Sequence, residues 1–207
     1  MRVYVANDSA AISVGADAVA DWLAGQGHEV IRTSSRGLFW LEPLVETDSP
    51  EGRLGFGPIA PGDRLEDHPL GLVEDHPYLK AQERLIFARA GITQPLSLAE
   101  YEAHGGLAGL RAARGLDPEA ICQTVLDSGL RGRGGAGFPA GIKWNTVRQQ
   151  EGPKFICCNA DEGDSGTFAD RMVMEGDPFL LIEGMAIAAR ATGAEHGFVY
   201  IRSEYPT

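Results

Sequence analysis

Six glycines fall in the thirteen residues Gly-Leu-Arg-Gly-Arg-Gly-Gly-Ala-Gly-Phe-Pro-Ala-Gly, from Gly129 to Gly141. Backbone without Cβ enters left-handed conformations freely and can come close to a ligand, but such a run makes a poor helix or strand. The segment is therefore a loop. Successive free N–H groups in a loop of this kind form an anion-binding concavity. Arg131, Arg133 and Lys143 add positive charge beside it. The chain as a whole carries 18 Lys and Arg against 29 Asp and Glu, a net charge of −11. A phosphate group would thus be drawn to this stretch and repelled elsewhere, and the same acidity argues against nucleic acid or an anionic membrane as partners.

The glycines fit no standard nucleotide motif well. Gly132-x-Gly134-x-x-Gly137 has the spacing of the dinucleotide fingerprint, yet the segment follows a helix pattern where that fingerprint needs a strand. No Gly-Lys-Ser/Thr closes it as a P-loop. Two readings stand at this point, a phosphate-binding loop and a purely structural one.

A second constellation follows. Lys154 to Cys158 reads as a strand and runs into Asn159-Ala160-Asp161-Glu162-Gly163-Asp164. The carboxyl end of a strand is where α/β folds present ligand groups. Asn and Asp there can hydrogen-bond sugar-like hydroxyls and the amide edge of a ring. A divalent cation and a solvated polar turn are the other readings. His28, His68, His76, His104 and His196 are scattered, with no Ser/His/Asp or Cys/His arrangement. That suits a reaction in which a cofactor supplies the chemistry and the protein orients it. Cys122, Cys157 and Cys158 form no disulfide framework. They read as small buried hydrophobes, the adjacent pair pointing to opposite faces of a strand.

The flanking pattern sets the fold class. Arg2–Ala6 and His28–Thr33 read as strands around a helix, Ala10–Ala24; Leu38–Glu46 and Arg53–Phe56 read as two more. This βαβββ order predicts a thioredoxin-like module over residues 1–60, without cysteines and hence without its redox chemistry. Residues 61–116 read as an acidic, proline-spaced linker with a helix at Tyr78–Arg89 and a capping box at Ser97–Glu100. Residues 117–207 read as an α/β domain: helices at Asp117–Ser128, Ile142–Gln150 and Asp177–Ala191, strands at Lys154–Cys158 and Gly197–Arg202. No apolar stretch approaches the length of a membrane span and no signal peptide opens the chain, so a soluble cytoplasmic protein is expected.

Taken together, GLRGRGGAGFPAGIKW and CNADEGDSGTFADR resemble the signature of the flavin (51 kDa-type) subunits of the respiratory NADH dehydrogenase family and its soluble relatives, over Asp117 to Pro206. The resemblance implies FMN as cofactor and NAD(H) as substrate, with hydride passing between them and single electrons passing on to iron–sulfur clusters. It implies that Gly132, Arg133, Gly134 and Gly135 line the FMN, with Lys143 reaching it. Asn159, Asp161 and Glu162 would hold the ribityl and ring edge, and Tyr200 and Glu204 would close the site from the next strand. Phe138 would stack near the nicotinamide dinucleotide, and Asp164 would stand where the family usually has Glu. Ala140 replaces the usual Thr, and Thr146 stands where an aromatic often stacks on adenine.

The segment Ser35–Glu46 and the Asp164-Ser165-Gly166 variant resemble the beta subunit of soluble NAD-dependent formate dehydrogenases. That implies a molybdenum-containing catalytic subunit and a small iron–sulfur subunit as partners. A respiratory NADH–quinone oxidoreductase, an NAD-reducing hydrogenase and a non-catalytic docking fragment are the alternatives. Family members run further, into a β-grasp-like domain and a helical domain whose CxxCxxC holds a [4Fe–4S] cluster. The three cysteines here cannot supply those ligands, so no metal site is expected in this chain and the sequence is expected to be part of a longer one.

Overall fold

A computed structural model of the protein describes residues 1–164 and 166–205, in two compact units. The first comprises residues 1–104 and 171–178. It holds β1 (Arg2–Ala6), α1 (Ser9–Ser13), α2 (Ala16–Gly25), β2 (Glu29–Thr33), β3 (Val45–Ser49), β4 (Gly52–Phe56), β5 (Pro69–Leu72), α3 (Pro77–Lys80) and α4 (Leu98–Ala103). The strands form one sheet in the order β2-β1-β3-β4-β5, with β1 and β2 parallel and the remaining pairs antiparallel. The first four strands have the arrangement expected of a thioredoxin-like module. Val3, Val5 and Val45 on the central strands pack against Val19, Ala20 and Leu23 of α2. Each fully buried Val or Leu of this set contributes about 1.5–3 kcal/mol.

The structure departs from the pattern-based reading in four places. The first helix is two helices, because Gly15 takes φ +104° between them. It is α1, opened by the Asp8 carboxylate accepting the Ala11 N–H at 3.1 Å, that begins the pair. The strand expected from Leu38 begins only at Val45; Phe39–Leu41 form a 3-10 turn and a cis bond joins Glu42 to Pro43. Residues 69–72, read as linker, extend the sheet as β5. The helix expected over Tyr78–Arg89 stops at Lys80. The capping box did form: Ser97 Oγ accepts the Glu100 N–H at 3.2 Å and opens α4.

The second unit comprises residues 105–170 and 179–205 of the described chain. Its elements are α5 (Ala108–Arg114), α6 (Pro118–Asp127), α7 (Ala140–Arg148), β6 (Phe155–Ala160), the first residues of α8 (Ala169–Gly176), most of α9 (Pro178–Thr192) and β7 (His196–Ile201). Asp117 caps α6 by accepting the Ala120 N–H at 2.8 Å, with Pro118 in the first turn where its missing N–H costs nothing. α7 lies so close to α6 that a Cβ on Gly141 would sit 2.5 Å from the Leu126 nitrogen. Ala113, Ile121, Cys122 and Ala191 form the core, with Trp144 and Ile187 against it.

Two charged side chains of α9 hold both ends of α5. Leu107 precedes that helix at φ +60° and offers no side-chain cap. The buried Glu183 carboxylate does so instead, accepting the Leu107 and Leu110 N–H groups at 2.7 and 2.8 Å. At the other end Arg190 donates to the carbonyls of Ala113, Arg114 and Leu116. These bonds satisfy terminal groups that a seven-residue helix cannot pair internally. β6 and β7 then run parallel, with Asn159 level with Tyr200 and Ala160 with Ile201.

Candidate functional site

The glycine-rich segment is a loop between α6 and α7, drawn closed at its base. The Gly132 N–H donates to the Phe138 carbonyl and the Ala140 N–H to the Leu130 carbonyl, each at 2.9 Å. Arg131 Nη1 donates to the Gly137 carbonyl at 2.8 Å, so this arginine laces the loop itself. The tip, Arg133 to Ala136, is exposed, as are Phe138 (53% accessible) and Lys143.

The glycines here do different things. Gly129 and Gly137 have positive φ, +71° and +54°, and are needed for the turn. Gly141 is needed for helix packing, and Gly132 makes only ordinary contact with the Phe138 backbone. Gly134 and Gly135 have neither positive φ nor any atom within 4 Å of where a Cβ would stand. Nothing in the described chain requires glycine at those two positions. The backbone at these two positions is open to approach from outside.

The second cluster gathers where β6 and β7 end. The Asn159 side-chain oxygen accepts the Asp161 N–H at 3.2 Å, an Asx turn that lifts the chain off the strand. Glu162 follows in the left-handed region at φ +44°, a conformation costing a non-glycine residue on the order of 1 kcal/mol. Its carboxylate accepts the Asp170 N–H at 2.9 Å and the Tyr205 hydroxyl at 3.0 Å. Its carbonyl accepts from Arg202 Nη1 at 2.7 Å. The other edge of the Arg202 guanidinium grips Glu204, Nε and Nη2 at 3.2 and 3.0 Å. Those bonds, with help from the residue's own backbone amide, push the Glu204 carboxyl down to about 2. Burial, then the neighbouring Glu162 charge, pushes Asp170 up.

Of the residues singled out from sequence, Asn159, Asp161, Glu162, Tyr200 and Glu204 therefore share one end of the β6–β7 pair. Gly132, Arg133, Gly134, Gly135, Phe138 and Lys143 belong to the loop and the start of α7. Among the described residues no hydrogen bond or ion pair joins Arg133 or Lys143 to the acidic turn. Asp164 is exposed at the end of the turn, and Ser165 lies outside the described residues.

Arg202, Tyr205 and Asp170 are the residues that sequence reasoning missed. An arginine two residues before Glu204, in a segment already suspected of binding, was the available signal for the first. The reading of all three cysteines as buried also needs correction. Cys122 is buried on α6, but Cys157 is exposed on β6 and Cys158 is half-buried, its thiol pushed up by burial and then by Asp170 and Cys157. Adjacent side chains on a strand face opposite ways, and here one of those faces is open.

The loop presents amides and cations and the strand end presents polar acceptors, and residues 125–207 match the family described as the Nuo51 FMN-binding domain. That segment is thus similar to the FMN-binding domains of NADH dehydrogenase flavin subunits. Among similar proteins, an NADH-quinone oxidoreductase subunit of Rhizobium meliloti is 57% identical over 112 residues, which cover 53% of this chain and 27% of that one. The NADP-reducing hydrogenase subunit HndC of Solidesulfovibrio fructosivorans is 47% identical over 128 residues, 61% of this chain and 26% of that one. A solved NAD+-reducing [NiFe]-hydrogenase in the air-oxidised state aligns at 27% identity and TM-score 0.46, over 99% of this chain and 38% of the other. The matched segment spans about a quarter of the length of these two curated relatives.

Proposed function

We propose that this chain carries the flavin end of an NAD(H)-linked oxidoreductase, with FMN against the glycine loop and the β6–β7 end. The observation that carries the reading is the pair Gly134 and Gly135, glycines that the protein's own packing does not require. Arg133, Gly134 and Gly135 offer backbone N–H groups to the phosphate, Gly132 lines the loop with its own N–H tied to the Phe138 carbonyl, and Arg133 and Lys143 bring positive charge. Asn159, Asp161, Glu162, Tyr200 and Glu204 face the polar edge of the cofactor; Phe138 and Asp164 serve NAD(H). When bound, FMN accepts or donates the hydride, and the residues present fit it: open space at the loop tip, exposed cations, and acceptors at a strand end.

The whole enzyme is, on this reading, a cytoplasmic NAD-dependent formate dehydrogenase. A molybdenum-containing subunit oxidises formate, a small iron–sulfur subunit completes the complex, and a [4Fe–4S] cluster lies in a further part of the flavin subunit. The thioredoxin-like unit supports this choice, because no cysteine precedes Cys122 to hold a cluster there. No helix of the described residues is long and apolar enough to cross a membrane. The names of the similar proteins favour a second reading, the flavin subunit of an NADH–quinone oxidoreductase or of an NAD-reducing hydrogenase. Molybdenum or nickel in the complex purified through this chain separates the two. A docking fragment without turnover is the remaining alternative, and it predicts no NADH oxidation by ferricyanide when FMN is supplied.

The first experiment is titration of FMN into the 207-residue chain, followed by quenching of flavin fluorescence. One FMN per chain is expected. Gly135→Val places two methyl groups where the loop backbone would meet the cofactor, and affinity should fall at least ~10-fold, about 1.4 kcal/mol. Equal FMN affinity in that variant would overturn the assignment of the loop.

A further inference from the structure

We propose that Arg202 is a positioning residue of this site, a three-bond clamp that joins the turn after β6 to the segment after β7 and so sets where Glu162 and Glu204 stand. The proposal rests on the flavin-site reading above.

The geometry is that of a fork used on both edges. Nη1 donates to the Glu162 carbonyl at 2.7 Å, while Nε and Nη2 donate to the Glu204 carboxylate at 3.2 and 3.0 Å. Charge-assisted, bidentate bonds of this kind fix direction as well as distance. The guanidinium carbon lies 5.4 Å from the centre of the Tyr205 ring, whose hydroxyl returns to the Glu162 carboxylate at 3.0 Å. Asp161 is the other acid whose charge acts on Arg202. The ring closed by these contacts therefore runs Glu162, Arg202 and Tyr205, with Glu204 held on the other edge of Arg202, so that two of the three acids proposed for the flavin are tied to one guanidinium.

Two consequences follow from bond directions. The left-handed Glu162 backbone, at φ +44°, is unfavourable by itself and persists only where its surroundings fix it. The Arg202 bond to its carbonyl is one such restraint, together with the two bonds to its carboxylate. Glu204, for its part, is held as an anion with both oxygens engaged on one side. It is presented to the site in one orientation and one charge state. A lysine cannot replace this arrangement, since a single ammonium lacks the planar fork that reaches a carbonyl and a carboxylate at once.

The test uses the 207-residue chain as wild type, Arg202→Gln and Arg202→Lys. Carbon-detected NMR of labelled glutamate carboxyls follows the Glu204 titration, and flavin fluorescence follows FMN binding in the same samples. In wild type Glu204 should titrate at about 2. In Arg202→Gln its midpoint should return to the ordinary carboxylate range, about 4.3; in Arg202→Lys, which keeps the charge but not the fork, it should rise part of the way. FMN affinity should fall at least ~10-fold in each, with the thermal midpoint read alongside to exclude unfolding. A midpoint that stays low in Arg202→Gln overturns the clamp. A shifted midpoint with FMN affinity unchanged overturns its positioning role while leaving the flavin site standing. Failure of wild type to bind FMN overturns the site itself, and the positioning role with it.

Discussion

Replacing Arg36 with methionine should cost the first unit about 3–5 kcal/mol, the range found when one partner of a buried ion pair is removed. The Arg36 side chain is 2% accessible. Its Nε and Nη2 donate to the two Glu46 oxygens at 2.9 and 2.8 Å, and Nη1 reaches Glu74 at 2.5 Å. Burial works against its charge, but the bonds and charges of Glu46 and Glu74 more than offset this and raise its pKa. Gly91 packs on the same side chain so tightly that a Cβ there would collide with Arg36 Cδ. Without the guanidinium, Glu46 remains 5% accessible with Arg53 alone at 3.4 Å. The double variant Arg36→Met, Glu46→Leu removes the stranded carboxylate and should recover most of the loss. Urea unfolding of the three proteins decides it: a loss below about 1 kcal/mol in the single variant would mean the pair contributes no more than a surface contact.

The second large effect depends on pH. Glu42 is 6% accessible; its Oε2 accepts the Leu44 N–H at 2.8 Å, while Oε1 is buried with no hydrogen-bond partner among the described residues. Burial is the main cause that pushes its carboxyl from 4.5 up to about 8, opposed by the Leu44 bond and reinforced by Asp8 and Glu46. The folded state therefore holds a proton that the unfolded chain has released between those two values. Where the folded state binds more protons, stability falls as pH rises. The penalty is absent below about 4.5, grows through the window and is complete above about 8. Its slope is up to about 1.4 kcal/mol per pH unit, for a total of a few kcal/mol. Glu42→Gln keeps the shape and the Leu44 bond and cannot ionise. Urea midpoints of wild type and Glu42→Gln should converge near pH 5 and diverge toward pH 8, with the variant the more stable. Parallel curves across that range would show that Glu42 is ionised throughout.

How much was legible beforehand follows from what kind of interaction defines each part. Helix ends with a side-chain signature were readable: Asp117-Pro118 and Ser97–Glu100 cap α6 and α4 through contacts three residues away. The two candidate segments stood out because their composition is unusual and contiguous. β5 was hidden because Pro69-Leu70-Gly71-Leu72 contains two residues disfavoured in strands and becomes a strand only by pairing at the sheet edge with β4. The split of the first helix turned on the single conformation of Gly15, which local propensity tolerates either way. Arg202 was hidden for a different reason. Its partners lie 40 residues back and two residues ahead, and only the parallel pairing of β6 and β7 makes the first of these a neighbour. Likewise the division of labour among the loop glycines, some for φ, one for packing and two for neither, is visible only once their surroundings are known.

The first unit is not continuous along the chain, since residues 171–178 belong with residues 1–104. Within that returning segment Glu175 accepts from the N–H and hydroxyl of Ser9, Gly176 closes on Ser34, and Asp177 takes the half-buried Arg89 at 2.7 Å. On the ribosome, residues 1–104 emerge well before their last piece. Until Pro178 has been made, α1 has Asp8 but not Glu175 at its N-terminus, and Arg89 lacks the Asp177 counter-charge. The unit that residues 1–104 form thus matures only after the glycine loop and the acidic turn have been synthesised.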